Sequence, residues 1–164
     1  VNCLFVIFFL VSSAFAGDIN VYFSPSGGCT RAIVSSLNAS SNSVLVQAYS
    51  FTSAPIASAL IEAEKRGVNA RVILDKSQTS ARGSRAGSVA AAGIPVFIDS
   101  RHNIAHNKIM VIDGSTVITG SFNFTSDAEY HNAENLLVIH DSDLAKTYTT
   151  NWMEHLNHSK KLDP

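Results

Sequence analysis

The residues best equipped for chemistry lie in one stretch, His106-Asn107-Lys108-Ile109-Met110-Val111-Ile112-Asp113, followed by Gly120-Ser121-Phe122-Asn123 and then Glu134-Asn135. In extended backbone, residues two apart share a face, so His106 and Lys108 are expected to point the same way, with Met110 and Ile112 continuing that face into the core. Ser121 and Asn123 form a second pair at the same spacing. Histidine supplies a nucleophile or base that titrates near neutral pH. Lysine supplies a fixed positive point charge, while Ser and Asn add uncharged donors that do not cancel it. That inventory suits a phosphoryl group, whose oxygens need donors in the transition state. Taken singly, each residue has a plainer reading: a surface histidine, a solvated lysine, loop-capping Ser121 and Asn123, and Asp113 as turn chemistry. Their conjunction carries the functional reading.

These groups need elements to hold them. Ile19–Phe23, Val44–Tyr49, Ala70–Leu74, Pro95–Ile98, Lys108–Ile112, Thr116–Thr119 and Glu134–Ile139 read as strands. Thr30–Leu37, Pro55–Lys65, a short piece ending at Ala92-Gly93, and Leu144–Leu156 with Trp152 read as helices. Asp113-Gly114 between two apolar runs is a hairpin signal. Strands alternating with helices and then a hairpin predict an α/β fold, a mixed β-sheet sandwiched between helices in one layered domain over residues 17–164.

The chain has 164 residues, with 12 basic and 13 acidic side chains. Charged residues make up 15% of it, well below the roughly 25% of ordinary domains, which excludes global disorder. A net charge of −1 excludes a uniformly basic binder while leaving room for a local positive patch. Residues 1–16 have the apolar run and the Ala14-Phe15-Ala16 end of a secretory signal peptide, cleaved after Ala16, although the charged leading segment is missing and the first residue is Val. The expectation is a periplasmic or secreted protein with no stable membrane insertion after cleavage; an uncleaved anchor is the alternative. Cys3 would leave with the leader, so the mature chain keeps Cys29 alone, which excludes an intrachain disulfide and a cysteine zinc site. Cys29 is read as a buried side chain rather than a nucleophile.

His106-x-Lys108-x(4)-Asp113 followed by Gly120-Ser121-x-Asn123 resembles the signature of the phospholipase D superfamily, and the single copy in a short exported chain resembles most closely its small bacterial endonucleases. The resemblance spans residues 17 to about 156. It implies a homodimer in which two copies of the motif meet across a two-fold axis. It further implies that His106 of one copy attacks phosphorus to give a phosphohistidine. His106 of the other copy then serves as general acid and base. Lys108, Ser121 and Asn123 would bind the phosphate oxygens, and Glu134 would orient the histidine. Asp113 is assigned a structural or supporting role.

No metal or other cofactor is required by this scheme. Lys108 beside His106 repels a cation, and His102, His131 and His140 read as scattered. For the partner, Arg31, Arg66, Arg71, Lys76, Arg82, Arg85 and Arg101 all precede the motif, and Ser77–Ser88 reads as a flexible Arg/Ser/Gly loop that could meet a nucleic-acid backbone. Its plainer reading is a solvated loop. No base-reading helix is evident, so cleavage of DNA, or of RNA, is expected to be sequence-nonspecific. Phe122 and Phe124 belong either near a site entrance or in the core. Two alternatives stay open: a phospholipid or cardiolipin hydrolase of the same chemistry, and a non-catalytic nucleic-acid-binding or envelope protein.

Overall fold

The computed structural model describes residues 18–162; the expected leader and Cys3 lie outside them. Eight strands form one sheet: β1 (Asp18–Ser24), β2 (Ser43–Ala48), β3 (Asn69–Asp75), β4 (Val96–Asp99), β5 (Lys108–Ile112), β6 (Thr116–Gly120), β7 (Glu134–His140) and β8 (Lys160–Lys161). Their spatial order is β1-β7-β6-β5-β2-β3-β4-β8. The β2-β3 and β3-β4 pairs are parallel, and all the others are antiparallel. The sheet is therefore mixed, as the alternating pattern predicts, and β2, antiparallel to β5 and parallel to β3, joins its antiparallel half to its parallel half.

Helices cover both faces. Alternation along β5 divides its residues between two cores: Met110 and Ile112 enter the larger, Ile109 and Val111 the smaller. The larger core holds Ile33 and Leu37 of α1 (Cys29–Ala39), Ile56 and Leu60 of α2 (Ala54–Lys65) and Val89 of α3 (Ala86–Ala91). The smaller is closed by Leu144, Ala145 and Tyr148 of α5 (Ser142–His158). Every residue of β5 is buried, which explains its unbroken apolar run between Lys108 and Asp113. Phe122 and Phe124 are both fully buried, which settles them in the core; Phe124 packs edge-on against Phe51 at 6.3 Å. Among the described residues, no helix is long and apolar enough to cross a membrane.

Helix ends follow ordinary capping chemistry. Asp141 accepts from the amides of Asp143 and Leu144, starting α5 two residues earlier than its apolar spacing predicts. The first turn of α1 depends on a distant carboxylate: Glu129, in the short helix α4 (Ser126–Tyr130), accepts from Gly28 N at 3.1 Å and Thr30 N at 2.7 Å. A carboxylate there satisfies otherwise unpaired amides and opposes the positive end of the helix dipole. Ser77–Ser88, expected to be a flexible loop, is folded into defined local structure. It takes in all but the first residue of a 3-10 turn at Lys76–Thr79 and the start of α3, and Arg85 is tied by its backbone to Phe51 O and by Nε to Thr52 O.

Candidate active site

His106 precedes β5 and Lys108 opens it, so the two side chains leave the same end of the sheet. Lys108 Nζ lies 3.0 Å from His106 Nδ1 and donates to the His106 carbonyl oxygen at 2.6 Å. His106 is exposed, whereas Lys108 is only 6% exposed. Burial pushes the Lys108 ammonium below its ordinary value, and the negative charge of Glu134 only partly offsets that. A positive charge is thus held in a largely desolvated position beside an accessible imidazole.

Tyr49, which no motif marks, completes the group. Its ring centroid is 4.6 Å from that of His106, and Lys108 Nζ lies 5.3 Å from it. Its backbone amide donates to Asn107 O at 2.9 Å, clipping the end of β2 to the residue between histidine and lysine. The only sequence signal for Tyr49 is an aromatic with a polar tip closing an apolar strand.

The second motif lies at the same sheet end. Ser121 N donates to Asn135 Oδ1 at 2.9 Å, and Asn135 N donates back to Ser121 Oγ at 3.1 Å. The chain can approach this closely because residue 120 is glycine. At its φ of 148° a Cβ would collide with the Asn135 carbonyl oxygen. Asn123 Oδ1 is buried without a hydrogen-bond partner among the described residues. A half-turn of that amide would put Nδ2 there instead, an unpaired donor of the kind an anionic oxygen satisfies.

Glu134 occupies a different position from a direct clamp on the histidine: its carboxylate accepts from Asn132 Nδ2 at 3.2 Å, and its influence on the site is through the charge felt by Lys108. Asp113 stands at the other end of β5. Its carboxylate accepts from Ser41 N and Oγ, Asn42 N and Ser43 N at 2.8–3.0 Å, stapling the α1–β2 connection to the hairpin. Burial works against ionisation there, but these donors outweigh it and hold the carboxyl below its usual range. The aspartate of the motif thus ties backbone together and faces away from the imidazole.

One expectation needs correction. His131 and His140 are dispersed, the former beside Asp127 and the latter beside Thr116. His102 is not: it converges with His155 and His158 on Asp99. Sequence reading missed this because the two halves of the cluster belong to different elements far apart in the chain.

The side chains gathered where β5 begins, β6 ends and β7 begins put a buried ammonium and hydrogen-bond donors beside an accessible imidazole, groups suited to a phosphoryl substrate. Residues 33–156 match the family described as cardiolipin synthase, PLD-like domain. The chain belongs to the phospholipase D superfamily. It is 41% identical over 143 residues to a protein from Rickettsia felis named phospholipase D, covering 87% of this chain and 72% of that one. It is also 38% identical over 100 residues to the mitochondrial cardiolipin hydrolase of Xenopus laevis, spanning 61% of this chain and about half (48%) of that one. Among solved structures it resembles Nuc, a phospholipase D family member from Salmonella typhimurium, with a TM-score of 0.86 and 35% identity over 90% of this chain and 99% of that one. NucT from Helicobacter pylori shares the fold, with a TM-score of 0.83 at 21% identity.

Proposed function

We propose that this chain is a metal-independent phosphodiesterase that cleaves DNA, and RNA by the same chemistry, without sequence preference. The observation that carries the reading is the contact of buried Lys108 with exposed His106 at one end of the sheet. With lysine as the ammonium, His106 Nδ1 accepts and the neutral ring carries its one proton on Nε2, whereas the acid form is the imidazolium, protonated on both nitrogens. The attacking form requires the opposite tautomer, with Nδ1–H facing an acceptor and the Nε2 lone pair directed at phosphorus. One imidazole cannot hold both forms at once, which supports a homodimer with two copies of His106 in one composite site.

In this mechanism Nε2 of one His106 forms a bond to phosphorus while the bond to the leaving oxygen breaks. That oxygen takes its proton from His106 of the second copy. The now neutral second imidazole removes a proton from water, the hydroxide attacks phosphorus, and the P–N bond breaks to free the first histidine. Lys108, Ser121 and Asn123 hold the nonbridging oxygens, and Glu134 orients the attacking ring once the two copies meet. Lys108 already supplies the positive charge that a metal would otherwise bring. Exposed Phe23, paired in register with Asn135, and exposed Ile104, two residues before His106, flank this end of the sheet and support its coverage by a second copy. Export to the periplasm or medium is proposed from residues 1–16.

The test is hydrolysis of plasmid, single-stranded DNA and RNA in excess EDTA by wild type and His106→Ala, run below the unfolding temperature. Cleavage by wild type alone is expected. Activity in the variant, or its loss in EDTA while the protein remains folded, would overturn the reading. A second reading, hydrolysis of a phospholipid headgroup, is favoured by the likeness to proteins named phospholipase D and cardiolipin hydrolase. Cardiolipin and phosphatidylcholine assayed beside the nucleic acids distinguish the two.

A further inference from the structure

A second cluster of ligating groups lies at the end of β4, outside the proposed catalytic machinery. Asp99 closes that strand and is completely buried. Its Oδ2 is 2.9 Å from His102 Nδ1, 2.9 Å from His155 Nδ1 and 3.2 Å from His158 Nε2. All four ligand atoms lie within 4.8 Å of one another. We propose that Asp99, His102, His155 and His158 form a structural site for a divalent transition metal, with zinc as the fitting ion.

Donor chemistry, geometry and charge converge on this assignment. Three imidazole nitrogens and one carboxylate oxygen are donors that zinc takes, and four of them suffice to close a tetrahedral site. With zinc–ligand bonds of about 2.0–2.1 Å, neighbouring ligand atoms of a tetrahedron stand about 3.3 Å apart. The three oxygen–nitrogen separations, 2.9, 2.9 and 3.2 Å, are already near that edge length, and the nitrogens, all within 4.8 Å of one another, would close in on a bound ion to complete the polyhedron.

The carboxylate is also held in the manner of a metal ligand. Its other oxygen, Oδ1, accepts from Arg101 N at 3.0 Å, which fixes the group and leaves Oδ2 alone facing the rings. Finally, Asp99 has no lysine or arginine partner among the described residues; its ion-pair partners are these three histidines, which carry charge only when protonated. A fully buried carboxylate whose facing partners are all imidazoles is a place where a divalent cation would supply a permanent counter-charge.

The site would add to the contacts that already hold the end of α5 to the sheet, Trp152 Nε1 to Val46 O at 2.9 Å and the pairing of β8 with β4. His155 and His158 are one helical turn apart at the end of α5, and Asp99 and His102 stand three residues apart where β4 passes into the segment leading to His106. β8, which follows α5, adds only two residues to the sheet. Metal binding would therefore pin the carboxyl-terminal helix to the segment that presents the catalytic histidine, with no part in the phosphoryl chemistry.

The test uses the full protein, stripped with chelator, dialysed, equilibrated with zinc chloride, and dialysed again before elemental analysis and thermal unfolding. Wild type is expected to retain one zinc per chain and to melt at a higher temperature with zinc than without. The His102→Asn/His158→Asn double variant, shown folded by circular dichroism, should lose both properties. His131→Asn/His140→Asn and His106→Ala should keep them. Zinc absent from wild type, or retained equally by the folded double variant, would overturn the proposal. Should the double variant not fold, His102→Asn alone decides: its ring is the most exposed of the three, and unchanged zinc retention in it would equally overturn the site. Zinc lost in His106→Ala yet kept in the double variant would place the ion at the reaction centre, overturning this site and the metal-independent mechanism together. Failure of the site alone leaves cleavage in EDTA untouched, so the two proposals fail separately.

Discussion

Lys108 Nζ stands 3.0 Å from His106 Nδ1 and donates to the carbonyl oxygen of the same histidine at 2.6 Å, so one buried ammonium restrains both the ring and the backbone of its neighbour. Because the lysine starts β5 and every residue of that strand is buried, its position is set by the core rather than by solvent. The imidazole remains exposed and is addressed by a rigid charge.

Replacing Lys108 with Met is expected to lower kcat for phosphodiester cleavage by about 10²–10³-fold, the typical effect of removing one preorganised transition-state donor. Stability should hold or rise, since a mostly buried charge gives way to an apolar side chain of similar length. Single-turnover kinetics beside thermal unfolding separates the two effects.

The pH profile carries the signature of that same burial. Burial lowers the Lys108 pKa despite Glu134, and only the protonated form donates to phosphate oxygens. Activity should therefore fall, as pH rises, on a limb lying below the ordinary lysine value of about 10.4. Glu134→Gln removes the opposing charge and should move this limb to still lower pH, as a kcat–pH series would reveal.

Asp113→Ala is expected to destabilise the fold by about 2–3 kcal/mol through loss of charge-assisted bonds to Ser41, Asn42 and Ser43. Its backbone, at φ 53°, adds a preference for Asp or Asn. Asp113→Asn should cost less. The carboxyl is held below its usual range in the folded state, so its stabilisation is complete above the unfolded value of about 3.9 and is lost as pH falls from there through the lower folded value. Urea midpoints at pH 7 and pH 3 should differ more for wild type than for Asp113→Asn. Folded Asp113→Asn should retain cleavage, since this side chain faces away from the reacting ring.

Cys29 should resist thiol reagents in the native protein at pH 8 and react only on unfolding. Burial, with the neighbouring charge of Glu129 and a smaller contribution from Glu134, pushes its pKa up to about 11, leaving almost no thiolate. Glu129→Gln weakens the cap on α1 and is expected to cost about 1–2 kcal/mol while sparing activity per folded molecule. Timed thiol labelling of the two proteins measures the first effect, and urea titration the second.

Most of the sheet was legible because its strands declare themselves. The apolar runs of β2, β3 and β5, the Asp-Gly hairpin and the turn residues between segments carry local information that tertiary packing does not override. The short α4 was not legible: Ser126–Tyr130 has too few residues for a helical period, and its structural value lies in Glu129 reaching α1, about a hundred residues away in the chain. β8 consists of two lysines and carries no strand signal at all. At the candidate site, His106 and Lys108 share a face as their spacing predicts. Tyr49 stayed hidden because it arrives on a different strand. The convergence of His102 with His155 and His158 is likewise invisible until α5 packs against the sheet.

The strand order places β1 at one edge of the sheet and β8 at the other. Seven interstrand steps of about 4.8 Å separate them, roughly 34 Å in all. Joining residue 162 to residue 18 in a circular permutant would therefore need a linker of at least about ten extended residues routed around the sheet. A direct fusion of those ends would tear out an edge strand. New termini are better opened at Gly67 or Gly93, exposed turns with open space around them on the parallel half, than at the Asp113 hairpin, where four hydrogen bonds hold the chain together.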